Sequence, residues 1–162
     1  MKYSKSFLES IAITIMLAEL PADKYLKSKE ISQAMGVSHS YLKKIANKLN
    51  RAEIIKSSAS KNGGYTINKD INEINLYDIF VAVEGEQSFT DAYPGDEIQD
   101  MFISKTNIEK GINVTNEVLL EAENSLKNTL KQCRLTKIIP QNDQGEAMKI
   151  DWAKIIKDKY DD

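Results

Sequence analysis

Six stretches of this chain repeat apolar residues at intervals of three and four, the spacing that gives a helix one buried face. In Tyr3 to Leu20 the main stripe is Phe7, Leu8, Ile11, Ile15 and Ala18, widened by Ile13, Met16, Leu17 and Leu20. Ser4 or Ser6 can cap its start, and Pro21-Ala22-Asp23 ends it. Ile31, Ala34 and Met35 mark a short helix behind Ser28, a candidate cap, and Gly36 stops it. Ser38 can cap the next helix, whose buried positions are Leu42, Ile45, Ala46 and Leu49. Further helices are expected over Leu76 to Glu84, Thr115 to Cys133 and Met148 to Tyr160.

Two short runs break the helical period. Ile54 to Ser57 and Tyr65 to Ile67 read as strands, and Ser58 to Gly64 between them is rich in turn formers. Two helices around a Gly-containing turn form a helix-turn-helix, and a hairpin behind it is a wing. The fold class expected is therefore mainly α with a small β-wing: a winged helix-turn-helix domain plus a long dimerisation helix. Residues 1–85 form the DNA-binding domain, 86–114 a connecting region and 115–162 the dimerisation helix with a C-terminal segment. Within the connector, Glu86 to Lys110 reads as a loop with room for one short helix. Its apolar islands are Phe89 and Met101-Phe102-Ile103.

Net charge, −2 over the chain, becomes informative when divided. Residues 1–68 carry eleven Lys/Arg against five Asp/Glu, net +6, and the remainder is net −8. A basic half beside an acidic one suits nucleic-acid contact confined to one face. The second helix of the helix-turn-helix presents Ser38, His39, Ser40, Tyr41, Lys43, Lys44 and Asn47 away from its apolar stripe, with no acid among them. A recognition helix reads base edges from its N-terminal residues, so Ser38 to Tyr41 are candidates nearest the groove, with Lys43 and Lys44 on phosphates. Lys61 and Asn62 at the wing tip can reach phosphate or the minor groove. A solvated amphipathic face is the bland alternative for the helix alone. The rival from another class is a winged helix used to dock an acidic protein partner, which requires no two-fold pairing.

Thr115 to Cys133 carries one narrow apolar seam, Leu119, Ala122, Leu126, Leu130 and Cys133, with Thr115 as a candidate cap. Such a seam needs a covering surface, and a second copy of the chain is the simplest. Cys133, the lone cysteine, is either an inert packed thiol or a redox-responsive one near a two-fold axis. His39 is the only histidine and has no neighbouring metal-ligand partner. Acid pairs such as Asp96-Glu97 and Asp161-Asp162 read as solvated charge, and no catalytic constellation or phosphate-cradling loop is visible. We therefore expect no enzyme activity, no metal and no cofactor. Lacking a membrane-length apolar run, a signal peptide or a disulfide framework, the chain reads as cytoplasmic.

These features together resemble the Rrf-two family of bacterial winged-helix transcriptional regulators. The residues that carry the resemblance are Val37-Ser38-x-x-Tyr41-Leu42, Gly63-Gly64-Tyr65 and Ile79 to Gly85 (IFVAVEG). It implies a homodimer on double-stranded DNA, with each recognition helix in a major groove and each wing near the adjacent minor groove. The expected function is a repressor acting on a near-palindromic operator, with the effector unassigned. Two departures stand out. Many members hold an iron–sulfur cluster through three cysteines after the Glu-Gly, whereas Glu86 to Asn113 contains none. The wing commonly carries Arg-Gly before its glycines, and this chain has Ala59-Ser60 there, leaving Lys61 as the substitute.

Overall fold

Helix α1 spans Lys5–Ala18 in the computed structural model, which describes residues 3–88, 91 and 105–160. Ser4 caps it, its hydroxyl accepting from the Phe7 N–H at 3.0 Å. Of the expected apolar positions, Phe7, Ile13, Met16, Leu17, Ala18 and Leu20 are buried, so the buried face is turned from the main stripe toward its widening residues. Phe7, Ser10, Ile13, Thr14 and Leu17 are buried, while Leu8 is exposed and Ile11 and Ile15 are half-buried. Two hydroxyls make this possible: Ser10 donates to the Ser6 carbonyl at 2.6 Å and Thr14 to the Ser10 carbonyl at 2.8 Å. A polar group satisfied within its own helix can enter a core that an unsatisfied one could not.

Helix α2 (Ser28–Met35) and helix α3 (His39–Arg51) follow, separated by Gly36 in the left-handed conformation at φ 64°. Ser28, the expected cap of α2, lies inside the helix instead. Lys27 occupies the cap position, and its N–H donates to the Glu30 carboxylate at 2.6 Å. Ser38 caps α3 as expected, accepting from the Tyr41 N–H at 3.2 Å. Leu42, Ile45, Ala46 and Leu49 are all buried. Strands β1 (Ile55–Ser58) and β2 (Gly64–Ile67) pair antiparallel, with Ile55 opposite Ile67 and Ser58 opposite Gly64. Leu26 extends this wing on its other edge, exchanging two backbone hydrogen bonds of 2.9 Å with Tyr65.

Helix α4 (Leu76–Glu84) starts at Asn75, whose side chain accepts from the Tyr77 and Asp78 N–H groups at 2.9 and 3.1 Å. Ile79 and Val83 are buried, and Phe80 meets Phe7 edge-on at 5.4 Å. Helix α5 runs over Lys105–Gln132, starting well before the expected Thr115 and stopping short of Cys133. Thr115 is therefore no cap. It sits mid-helix, and its hydroxyl donates back to the Gly111 carbonyl at 2.8 Å. Beyond α5 come a 3-10 turn, Leu135–Lys137, and helix α6, Trp152–Tyr160, shorter than the expected Met148 to Tyr160.

The chain forms two compact units, residues 1–85 with 131–162, and residues 86–130. In the first, Phe7, Ile13, Leu17, Leu26, Ile31, Leu42, Leu49, Ile54, Ile74, Ile79 and Leu135 are all buried. The return of 131–162 departs from the sequence expectation, which grouped 115–162 together. Backbone pairing explains it: Leu135 N–H donates to the Ile74 carbonyl at 2.8 Å, and Leu76 N–H to the Cys133 carbonyl at 3.0 Å. In the second unit Glu123 is buried, paired to Lys127 at 2.5 Å and accepting from the Ser88 hydroxyl at 2.6 Å. Phe89, residues 101–103 and the acid pairs Asp96-Glu97 and Asp161-Asp162 lie outside the described residues.

Candidate nucleic-acid interface

The recognition helix owes its position to contacts on both flanks. Tyr41 donates its hydroxyl to the Glu9 carboxylate of α1 at 2.6 Å, and Lys48 donates its ammonium to the Val83 carbonyl of α4 at 2.5 Å. A strong acceptor on the phenol favours its protonated form, so the Tyr41 pKa is pushed up to about 12, chiefly by Glu9. Tyr41 and Lys48 therefore clamp α3 to its neighbours. A DNA contact through the Tyr41 hydroxyl would have to compete with Glu9.

His39, Ser40, Lys43, Lys44 and Asn47 are exposed on α3, opposite the buried stripe. Ser38 is exposed too, but its hydroxyl is engaged as the helix cap. His39 bridges the two helices: its Nε2 and the Ser28 hydroxyl lie 2.6 Å apart. One cleft then brings together Lys27, Ser28 and Lys29 of the α2 start, His39 of α3, and Ser57 to Lys61 of the wing. Lys61 thus joins His39 in one cleft, whereas Asn62 faces a neighbouring groove that also includes Lys27 and Lys29. Sequence reasoning missed Lys27, Ser28 and Lys29. The run Lys-Ser-Lys directly ahead of the first of two short helices was the available signal.

The wing is set against this cleft by close backbone approach. A Cβ on Gly64 would meet the Leu26 carbonyl oxygen at 2.5 Å, and its φ of 150° is one that L side chains rarely adopt. Glycine there lets β2 lie flush on the segment that leads into α2.

On α5 the expected seam divides. Leu130 is buried, Leu119 and Leu126 are half-buried, and Ala122 is exposed. Val114 and Val118 are 58% and 59% exposed, about two turns and one turn before Ala122 on the same face. Sequence reasoning missed both valines, although steps of four lead from Val114 through Val118 to Ala122. Cys133 follows the helix rather than ending it, half-buried, with its carbonyl bonded to the α4 start.

Comparison with known proteins supplies the lineage of this arrangement. Residues 3–141 match the model of a family described as Rrf2, iron-dependent transcriptional regulator. The chain belongs to the Rrf2 family of transcriptional regulators. YffB of Lactococcus lactis, named among the HTH-type transcriptional regulators, is 32% identical over 138 residues, 85% of this chain and 86% of that protein. YwgB of Bacillus subtilis, similarly named, is 32% identical over 82% of this chain and 80% of its own. Among solved structures, CymR (YrzC), the global cysteine regulator of B. subtilis, superposes with a TM-score of 0.61 at 21% identity. That match covers 85% of this chain and 95% of CymR. IscR of T. potens gives 0.62 at 22% identity, covering 85% of each chain. These two likenesses show the winged-helix fold.

The family description implies iron chemistry. Three cysteine thiolates cannot be assembled from a chain whose only cysteine is Cys133. Among the described residues no group of three or more His, Cys, Asp or Glu side chains converges on one point. The residues therefore do not fit the three-cysteine cluster set that many family members carry. No described helix is long and apolar enough to cross a membrane.

Proposed function

We propose that this Rrf2 regulator is a cytoplasmic homodimeric repressor that binds a near-palindromic operator in double-stranded DNA. The observation that carries the reading is the cleft shared by the α2 start, the α3 start and the wing. Its lining holds hydrogen-bond donors and cations and no acid, beside the start of a clamped helix. Ser40, Lys43, Lys44 and Asn47 face outward to enter a major groove, with His39 and Ser38 at its mouth. Lys43, Lys44 and Lys61 contribute phosphate contacts, and Asn62 reaches outward from the wing tip. Each phosphate contact adds about 0.9 to the slope of log affinity against log salt.

Pairing of two copies supplies the two-fold symmetry a palindrome needs. The exposed face of α5 bearing Val114, Val118 and Ala122, continuous with half-buried Leu119 and Leu126, is the surface offered for it. Genomic-fragment selection with the full chain, followed by titration of recovered DNA at two salt concentrations, tests the whole reading. A palindrome bound by two chains per site is expected. Recovery of random DNA alone, bound weakly and released by moderate salt, would overturn it in favour of a protein-docking winged helix.

A further inference from the structure

Residues 142–160 lie beyond the stretch matched by the family model, yet they belong to the first compact unit. The Ile150 N–H donates to the Glu19 carbonyl at 2.7 Å, and the Trp152 indole N–H to the Glu19 carboxylate at 2.9 Å. Ile156 is buried, and Lys149 donates to the Ala18 carbonyl at 3.1 Å. Helix α6 is thereby fixed beside α2. One groove then runs between α6, the α2 start and the wing tip, lined by Lys24, Lys27, Lys29, Asn62, Lys154 and Lys157 among others. Three acids also line it, Asp23, Glu30 and Asp151, against five lysines; Glu30 accepts from the Lys27 N–H and Asp151 from the Lys154 N–H. Among the described residues none of the five lysines forms an ion pair. Lys27 and Lys29 also line the cleft beside the recognition helix, so groove and cleft are one continuous basic surface.

We propose that Lys154 and Lys157 of α6 form an outer wall of the DNA-binding face, contacting phosphates of double-stranded DNA that flank the bases under α3 and the wing. The proposal rests on the DNA-binding reading above. Duplex DNA is the occupant favoured because the lysines continue the recognition surface outward past the wing tip. Compact ammonium groups spaced along a surface suit a repeating phosphate backbone. Contacts of this kind lengthen the bound segment and raise its salt dependence without adding sequence preference.

The test compares the full chain with K154Q/K157Q and with K159Q, whose side chain does not line the groove. Each is titrated with a recovered operator fragment, and with the same fragment trimmed by about one helical turn at each end. The paired substitution is expected to lower the salt slope on the long duplex by about 1.8, so between 50 and 200 mM salt wild type loses about tenfold more affinity than the variant. On the trimmed duplex the two should bind alike, and K159Q should match wild type on both. Melting curves coincident with wild type would show that the surface substitutions leave the fold intact. Equal slopes for wild type and K154Q/K157Q would overturn the outer wall while leaving operator binding standing. So would a matching loss in K159Q, or loss of poly-glutamate binding alone, which would point to an acidic protein partner. Absence of duplex binding by wild type would overturn the DNA reading and this inference together.

Discussion

Replacing Gly64 by alanine tests whether the wing is held by a backbone approach that only glycine permits. The added Cβ would lie 2.5 Å from the Leu26 carbonyl oxygen and 2.7 Å from its carbon, both backbone atoms with no rotamer to yield. A φ of 150° adds conformational strain of about 1–3 kcal/mol for a residue with a side chain. Relief requires the Leu26 segment to separate from β2, breaking the two 2.9 Å hydrogen bonds between Leu26 and Tyr65. Those are worth about 0.5–1.5 kcal/mol each. Together the loss should be about 3 kcal/mol or more. Gly36→Ala isolates the conformational part: its φ is 64°, but nothing lies within 4 Å of the added methyl. It should cost about 1–2 kcal/mol. For a chain of this size, 3 kcal/mol corresponds to a fall in Tm of about 6–12 °C. Thermal unfolding followed by circular dichroism reads both variants. Equal losses for Gly64→Ala and Gly36→Ala would refute the steric argument, because the two positions differ mainly in what the methyl meets. Below its melting point Gly64→Ala should also bind DNA more weakly, since the wing and the α2 start form opposite walls of one cleft.

Lys43→Ala should weaken operator and random DNA together and lower the salt slope by about 0.9; a loss confined to the operator would mean base readout instead. Tyr41→Phe should cost about 1–2 kcal/mol of stability by removing a hydrogen bond to the charged Glu9, which keeps Lys5 at 3.4 Å, and leave DNA affinity of the folded protein unchanged. The reverse result would move Tyr41 from clamp to reader. Burial raises the Glu19 carboxyl above its ordinary value of 4.5, against the opposing Trp152 hydrogen bond and Lys149 charge. The folded state therefore binds that proton more tightly than the unfolded chain. Its stabilising effect is full below the unfolded pKa and is lost as pH climbs through the raised folded one. Glu19→Gln should accordingly gain stability relative to wild type as pH rises from the ordinary carboxyl value through the raised folded one, and urea titrations showing a constant difference would contradict this. Val118→Glu, at a position 59% exposed, should leave the melting temperature of the isolated chain alone but shift sedimentation from dimer to monomer at micromolar protein. A variant that sediments as wild type would remove this face from the dimer.

Much of the first unit was readable in the chain because its signals are local. Gly36, Ser38 and the stripe Leu42, Ile45, Ala46, Leu49 each act within a few residues. The turn, the cap of α3 and the buried face of the recognition helix therefore follow from spacing alone. The cationic and hydrogen-bonding face of α3 was legible for the same reason. The register of α1 was not, since Ser10 and Thr14 look polar in sequence. Their burial depends on hydrogen bonds to carbonyls one turn back. Only the tertiary structure reveals that Tyr41 and Lys48 act as clamps, because Glu9 and Val83 are distant in sequence. The same holds for Lys27, Ser28 and Lys29 facing the wing, and for α6 returning to Glu19. Helical periodicity records which face of an element seeks cover; which element covers it is decided by long-range packing and by where the backbone finds its remaining hydrogen-bond partners.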